Sequence, residues 1–289
     1  MTSRISKLTA TVILLAALPV GAAPGERWRL VWSDEFSGRA KSQADPSKWE
    51  SDLGGGGWGN HELEEYTEST ENVSLDGHGH LLVRAIRSDQ GKYTSGRLKT
   101  QHRFEVQYGK IEARIKVPFG QGIWSAFWML GNDVAEVGWP KCGEIDIMEN
   151  IGKEPSIIHG TVHGPNYSGG QGISAQSSLR GKRTFSGHFH IFGVEWSPES
   201  IVFSLDRVPY AKVTHESLPL GGQWVFDKPF FLLMNLAVGG DWPGNPDGTT
   251  LFPQTMVVDW VRVWTNTTIQ NEQKAQVRLG TSRNSSSRK

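Results

Sequence analysis

The chain has 289 residues, with 30 basic and 30 acidic side chains, 34 glycines, 14 prolines, twelve tryptophans and a single cysteine, Cys142. One cysteine excludes an internal disulfide. The first 22 residues hold two basic side chains and the last 25 hold five basic and one acidic, leaving 23 basic against 29 acidic in between; this acidic body argues against nucleic acid as a partner and suits an uncharged ligand.

In chain order, residues 1–22 read as a secretory signal peptide. Arg4 and Lys7 open it, Leu8 to Val20 is apolar but too short to span a bilayer, and Val20-Gly21-Ala22 offers small residues for cleavage. No later stretch is apolar enough to cross a membrane, so the expectation is a secreted protein, extracellular or periplasmic, with no membrane partner. Residues 23–264 form one domain without a repeat or linker. Residues 265–289 are polar, basic and poor in aromatics, the composition of a disordered tail.

Short segments of period-two alternation fill the domain between glycine and proline punctuation. In Gly109 to Val117, Ile111, Ala113, Ile115 and Val117 face one way and Lys110, Glu112, Arg114 and Lys116 the other, which predicts a half-buried strand. Leu81–Ala85, Gly122–Met129, Glu144–Glu149, His159–His163, His188–Trp196, Ile201–Leu205, Phe230–Val238 and Val257–Trp264 are further strands. No window after the leader has a sustained, capped helical period. The pattern predicts an all-β sandwich or jelly roll.

The stretch Gly143-Glu144-Ile145-Asp146-Ile147-Met148-Glu149-Asn150 carries the chemistry. Simple alternation places Ile145 and Ile147 in the core and Glu144 and Asp146 on the other face, and it would send Glu149 inward, where an unpaired carboxylate is costly. One extra residue near Met148, a β-bulge, returns Glu149 to the face of the other two acids. Three carboxylates in a row repel, so their protonation separates. That separation serves glycoside hydrolysis, in which one carboxylate attacks and one acid protonates the leaving oxygen, with the two about 5–5.5 Å apart in retaining enzymes. Backbone positions four strand steps apart lie roughly 13 Å apart, so both glutamate tips must lean over Asp146. A solvated acidic strand is the alternative.

Trp124 and Trp128 share parity with Ala126 on one strand and suit either stacking on sugar rings or core packing. Trp58, in Gly54–Gly59, and Trp242, in Gly239–Gly244, sit in glycine-rich loops as binding residues or loop anchors. The pairs His78/His80 and His188/His190 each lack a third ligand and make poor zinc sites.

The run Glu144-Ile145-Asp146-Ile147-Met148-Glu149 resembles the active-site signature of glycoside hydrolase family 16, in the laminarinase-like form with an extra residue before the second glutamate. Trp32–Phe36, Gly57–Thr67, Ser95–Leu98, Tyr108–Arg114, Trp124–Gly131 and Asn235–Gly240 match further blocks in the family's order. The resemblance implies a jelly roll with an open substrate cleft on its concave face and a retaining mechanism, with Glu144 as nucleophile, Asp146 its assistant and Glu149 the acid/base. It also implies sugar contacts from Asn60 and Arg97, with His163 near the acids. Arg97 could equally pair with a surface acid, and His163 could be a core histidine. No catalytic cofactor is expected. A structural calcium away from the cleft is implied at Glu35, Gly79 and Asp259, where hard oxygen ligands suit the ion. The expected protein is a monomeric endo-acting β-1,3-glucanase whose partner is a β-glucan. The alternatives are a recognition protein that binds glucan without cutting it, or a hydrolase of mixed-linkage glucan or red-algal galactan.

Overall fold

The computed structural model describes residues 28–181 and 183–266. The predicted signal peptide and all but the first two residues of the predicted tail lie outside them.

Two large sheets stack face to face. The first runs in the order Ile173–Ser178, Ile157–His163, Glu144–Ile151, Ile123–Gly131, Phe230–Val238, Arg97–Lys99 and Glu50–Ser51, with Glu105–Val106 also paired to Phe230–Val238. The second runs from Val208–Thr214 through Ser200–Leu205, His190–Ser197, Gly109–Lys116, Gln254–Thr265, Leu81–Arg87 and Tyr93–Ser95 to Glu64–Tyr66. Arg29–Asp34 adds to Gln254–Thr265 and Val73–Leu75 to Leu81–Arg87. Pairing is antiparallel except between Glu64–Tyr66 and Tyr93–Ser95. Among the described residues the α-helical content is one turn, Val134–Val137, and no helix is long and apolar enough to cross a membrane.

Alternating side chains account for the core. Ile111, Ala113, Ile115 and Val117 from one sheet meet Ile145, Ile147, Phe127 and Met129 from the other, all at or near zero exposure. Phe230–Val238 is buried along its whole length. Phe230, Leu232, Met234, Leu236 and Val238 enter the core, while Phe231, Leu233, Asn235 and Ala237 take the opposite face, so the strand carries no visible alternation. Gly160 packs closely against the other sheet: a Cβ there would stand 2.5 Å from Phe203 Cδ1 and from the Tyr210 hydroxyl.

Two features depart from simple alternation. Glu112, on the expected polar face, is 3% exposed, with Arg207 Nε 3.6 Å away. The register of Gln254–Thr265 against Gly109–Lys116 shifts between Val258 and Trp260, so Asp259 is a bulge residue and Val258, Val261 and Val263 all reach the core.

Candidate active site

The Glu144–Ile151 strand is bulged where its sequence requires. On one side Phe127 pairs with Met148 and Trp128 with Asp146, which skips Ile147. On the other, Asp146 faces Thr161 and Glu149 faces His159, three steps against two. Ile147 and Met148, adjacent in sequence, are both buried at 1% or less. Burying each contributes about 1.5–3 kcal/mol, whereas a regular strand would expose one of them and drive the Glu149 carboxylate into the core at a cost of several kcal/mol. The bulge wins on both counts, and it leaves Glu144, Asp146 and Glu149 on the outer face of the sheet.

That face is the floor of a trough lined by the three acids together with Trp58, Asn60, Arg97, Trp124, Trp128, His163 and Trp242. Every acid and sugar-contact residue expected from the sequence is therefore gathered in one place. Trp124 Nε1 donates to Glu149 Oε1 at 3.1 Å, and Trp128 Nε1 to Asn235 Oδ1 at 2.8 Å. Arg97 makes the acid pair offered as one of its two readings, and it also lines the trough. Its Nε donates to Asp52 Oδ2 at 2.9 Å, and its guanidinium lies 4.5 Å from the Trp58 ring and 4.9 Å from the Trp128 ring. Asn60 Nδ2 donates to Glu62 Oε1 at 2.9 Å. His163 is neither remote nor a core residue: its Nε2 stands 3.0 Å from Asp146 Oδ2, with its ring against Gly172, where a Cβ would come within 2.5 Å of Cε1.

Burial and crowding raise all three acids. Desolvation, then the charge of Asp146, pushes Glu144 up to about 8, with His163 and the Trp139 indole pulling the other way. Desolvation is also the largest cause for Glu149, pushed up to about 7, while His163, Trp124 and Thr161 favour its ionised form and Glu144 opposes it. Asp146 is raised well above the carboxylate range by burial and by Glu149. Such a trio holds a proton near neutral pH, as one set of coupled sites.

Several trough residues drew no individual assignment from the sequence. Trp139, 49% exposed, donates its Nε1 to Glu144 Oε2; it comes from a loop, where strand parity says nothing. Glu62 and Asn235 join a network through Tyr66, whose hydroxyl donates to Glu62 Oε2 at 3.2 Å and accepts from Asn235 Nδ2 at 3.0 Å. Behind it Glu64, 2% exposed, is pushed up to about 8 by burial and then by Glu62. His159 and Thr161 also line the trough.

Among the described residues the cluster of three possible metal ligands is Glu144, Asp146 and His163, with donor atoms within 4.8 Å of one another; it belongs to the trough floor. The residues expected at a calcium site lie in and beside the other sheet. The Glu35 carbonyl approaches Gly79, 3.7 Å from where a Cβ would stand. The Glu35 carboxylate is bound by Arg262 through Nε at 2.9 Å and Nη2 at 2.8 Å, and Asp259 pairs with Arg114, with His80 Nε2 3.8 Å from its other oxygen. A cation there would therefore find backbone oxygens and one carboxylate oxygen beside an arginine. One histidine of each pair is held by an acid: His80 Nδ1 meets Asp76 Oδ2 at 2.6 Å and His190 Nδ1 meets Asp206 Oδ2 at 2.8 Å.

An all-β sandwich with a carboxylate row on the floor of an aromatic-walled trough defines a class of polysaccharide-processing proteins. Residues 60–262 match the model of glycosyl hydrolases family 16, and the chain belongs to that family. It is 41% identical over 246 residues to a β-glucanase of Rhodothermus marinus, covering 82% of this chain and 85% of that one. The catalytic domain of an endo-1,3-β-glucanase (laminarinase) from Thermotoga petrophila RKU-1 is 46% identical, over 84% of this chain and 99% of that chain, with a TM-score of 0.78. The endo-β-1,3-glucanase from Pyrococcus furiosus is 48% identical, over 84% and 97% respectively, also with a TM-score of 0.78.

Proposed function

We propose that the protein is an exported endo-β-1,3-glucanase that cleaves laminarin-type glucans with retention of configuration. The observation that carries this reading is the bulged strand with three acids in one trough, two of them hydrogen-bonded by indoles. In the productive state Glu144 is ionised and Glu149 protonated. A glycosidic oxygen beside Glu149 and positive charge developing at the anomeric carbon beside Glu144 select that distribution of the shared proton.

Glu149 gives its proton to the glycosidic oxygen as the bond to the leaving sugar breaks and Glu144 bonds to the anomeric carbon. Glu149, now a carboxylate, takes a proton from water, which attacks the same carbon and releases Glu144. The Trp139 N–H and Asp146, itself faced by His163, tune Glu144 from opposite directions: the indole donor stabilises its charge, and the crowding of the neighbouring acid raises its basicity. Trp58, Trp128 and Trp242 present indole faces and edges to sugar rings, and Asn60 and Arg97 supply hydrogen bonds to hydroxyls.

The trough lining has Arg97 as its one arginine or lysine among the described residues, and Asp52 already pairs with it. A neutral glucan fits this lining better than a sulfated galactan. The test is release of new reducing ends from laminarin, lichenan, curdlan and agarose. Laminarin and curdlan should be cut faster than agarose. Tight binding of laminarin by folded protein with no release would favour a recognition protein instead.

The leader at residues 1–22 supports export, and the chain is expected to act as a monomer. A structural calcium ion is proposed at the backbone of Glu35 and Gly79 with the Asp259 carboxylate; water would supply the rest of its shell. Dialysis against EDTA should lower the melting temperature by a few degrees and added calcium restore it; a melting temperature indifferent to both would rule the ion out.

A further inference from the structure

The loop at 239–244 places Trp242 edge-on to two other rings. Its centroid is 5.5 Å from Trp124 at an interplanar angle of 86° and 4.7 Å from His159 at 79°. Trp124 and His159 come from the strands on either side of Glu144–Ile151, and both attend Glu149: Trp124 donates to its carboxylate, and His159 is its cross-strand partner. Three rings from three segments thus pack together along one side of a carboxyl group that is itself half-buried. His159 is 7% exposed, and its Nε2 is buried without a hydrogen-bond partner. A buried polar atom of this kind calls for an explanation, and none of the trough's hydrogen bonds supplies one.

We propose that His159 is a positioning residue for Glu149, holding Trp242 against Trp124 so that the three rings keep water from the Glu149 carboxyl. The proposal rests on Glu149 being the acid/base. The charged and titratable groups around Glu149 are Glu144 and Asp146 on its own strand, His159 and His163 on the neighbouring strand, and the buried phenol of Tyr210 from the facing sheet. The opposite neighbour contributes Trp124, which has no charge. In the loop, Asp241 is bound to His61, and Lys153 Nζ donates to the Trp242 carbonyl at 3.2 Å. Burial holds the His159 imidazole below its ordinary value, against the pull of Glu154. Burial thus favours its neutral form, and its influence on Glu149 is through the wall of rings.

Opening the wall hydrates Glu149 and lowers its pKa, because desolvation is the largest contribution raising it. A general acid must be protonated in the free enzyme, so the alkaline limb of kcat/KM then moves to lower pH. The experiment is the pH profile of kcat/KM on laminarin for wild type, His159→Ala and His159→Phe. The alanine variant should move the alkaline limb down by about one pH unit. The phenylalanine variant keeps a ring edge against Trp242 without the nitrogen and should restore the wild-type limb. An alanine variant whose limb stays in place, or a phenylalanine variant that behaves like alanine, overturns the proposal. Should His159→Ala fail to fold, Trp242→Leu on its exposed loop removes the same wall with the same expected shift, and an unmoved limb there is equally fatal. A companion assay separates this from the acid/base reading: Glu149→Ala on a dinitrophenyl β-laminaribioside, whose leaving group needs no proton, with azide added. Azide rescue combined with a fixed His159→Ala limb defeats the wall alone. Absence of rescue defeats the acid/base role on which the wall depends.

Discussion

Glu144 and Glu149 carry the same functional group, but their neighbours differ. Trp139 and Asp146 attend Glu144; Trp124, Thr161 and His159 attend Glu149. Glu144→Gln and Glu149→Gln should each lower kcat on laminarin by about 10²–10⁴, with unchanged folding and retained glucan binding. Near-normal turnover by Glu149→Gln would show the roles to be misassigned. Trp139→Phe keeps the ring and deletes the donor to Glu144, and should lower kcat with little change in KM; a change confined to KM would make Trp139 a sugar platform only. The three acids of the trough floor were legible because their spacing violates simple alternation, and a family signature names the violation. Trp139 was not legible, since it lies in a loop without the glycine cluster that singled out Trp58 and Trp242, and of the two roles open to Arg97 the pair with an acid is the one its geometry displays.

At the level of elements, the bulge at Ile147–Met148 keeps three acids on one face of a strand that has one residue too many for regular alternation. Deleting Met148 removes the bulge residue and restores regular alternation with Glu149 still on the face of Glu144 and Asp146. The deletion variant should keep the three acids in the trough and measurable activity, at a loss of about 1.5–3 kcal/mol for the Met148 side chain, read as a fall in the denaturation midpoint; a deletion variant that folds yet is wholly inactive would contradict the bulged register. Gly160→Ala tests the packing beneath the trough. Its methyl group would meet the Phe203 ring and the Tyr210 hydroxyl, and overpacking should cost about 1–3 kcal/mol. Strand positions were readable wherever one face is polar, as in Gly109–Lys116. Phe230–Val238 matched in extent, but Asn235 within it could not be assigned a role, because both faces of that strand are covered. The Asp259 bulge was missed because valine on both sides of it hides the change of parity. Glu112 reads as a surface residue and is buried because Arg207 and Arg262 from other segments lie over the same face.

The whole molecule stores its buried acids at one end of the pH scale. Glu144, Glu149 and Glu64 are all raised in the folded state, so between about pH 5 and 8 the native protein binds more protons than the unfolded chain. Stability must then fall as pH rises through that window. His159, held below its ordinary value, opposes this weakly. The melting temperature should decline from pH 5 to 8, and Glu64→Gln, a buried change outside the reacting trio, should flatten the slope; a flat wild-type profile would mean these carboxyls are not desolvated. The acids in the trough are thus kept at a cost in stability, as expected of groups held for reaction rather than for packing. The most direct test of that purpose is covalent trapping: treat the protein with a 2-deoxy-2-fluoro-β-laminaribiosyl fluoride, digest it and locate the added mass. The label should sit on Glu144, in the Glu144–Ile151 strand. A label on Asp146 or Glu149, or inhibition with no covalent adduct, would contradict the assignment of the nucleophile.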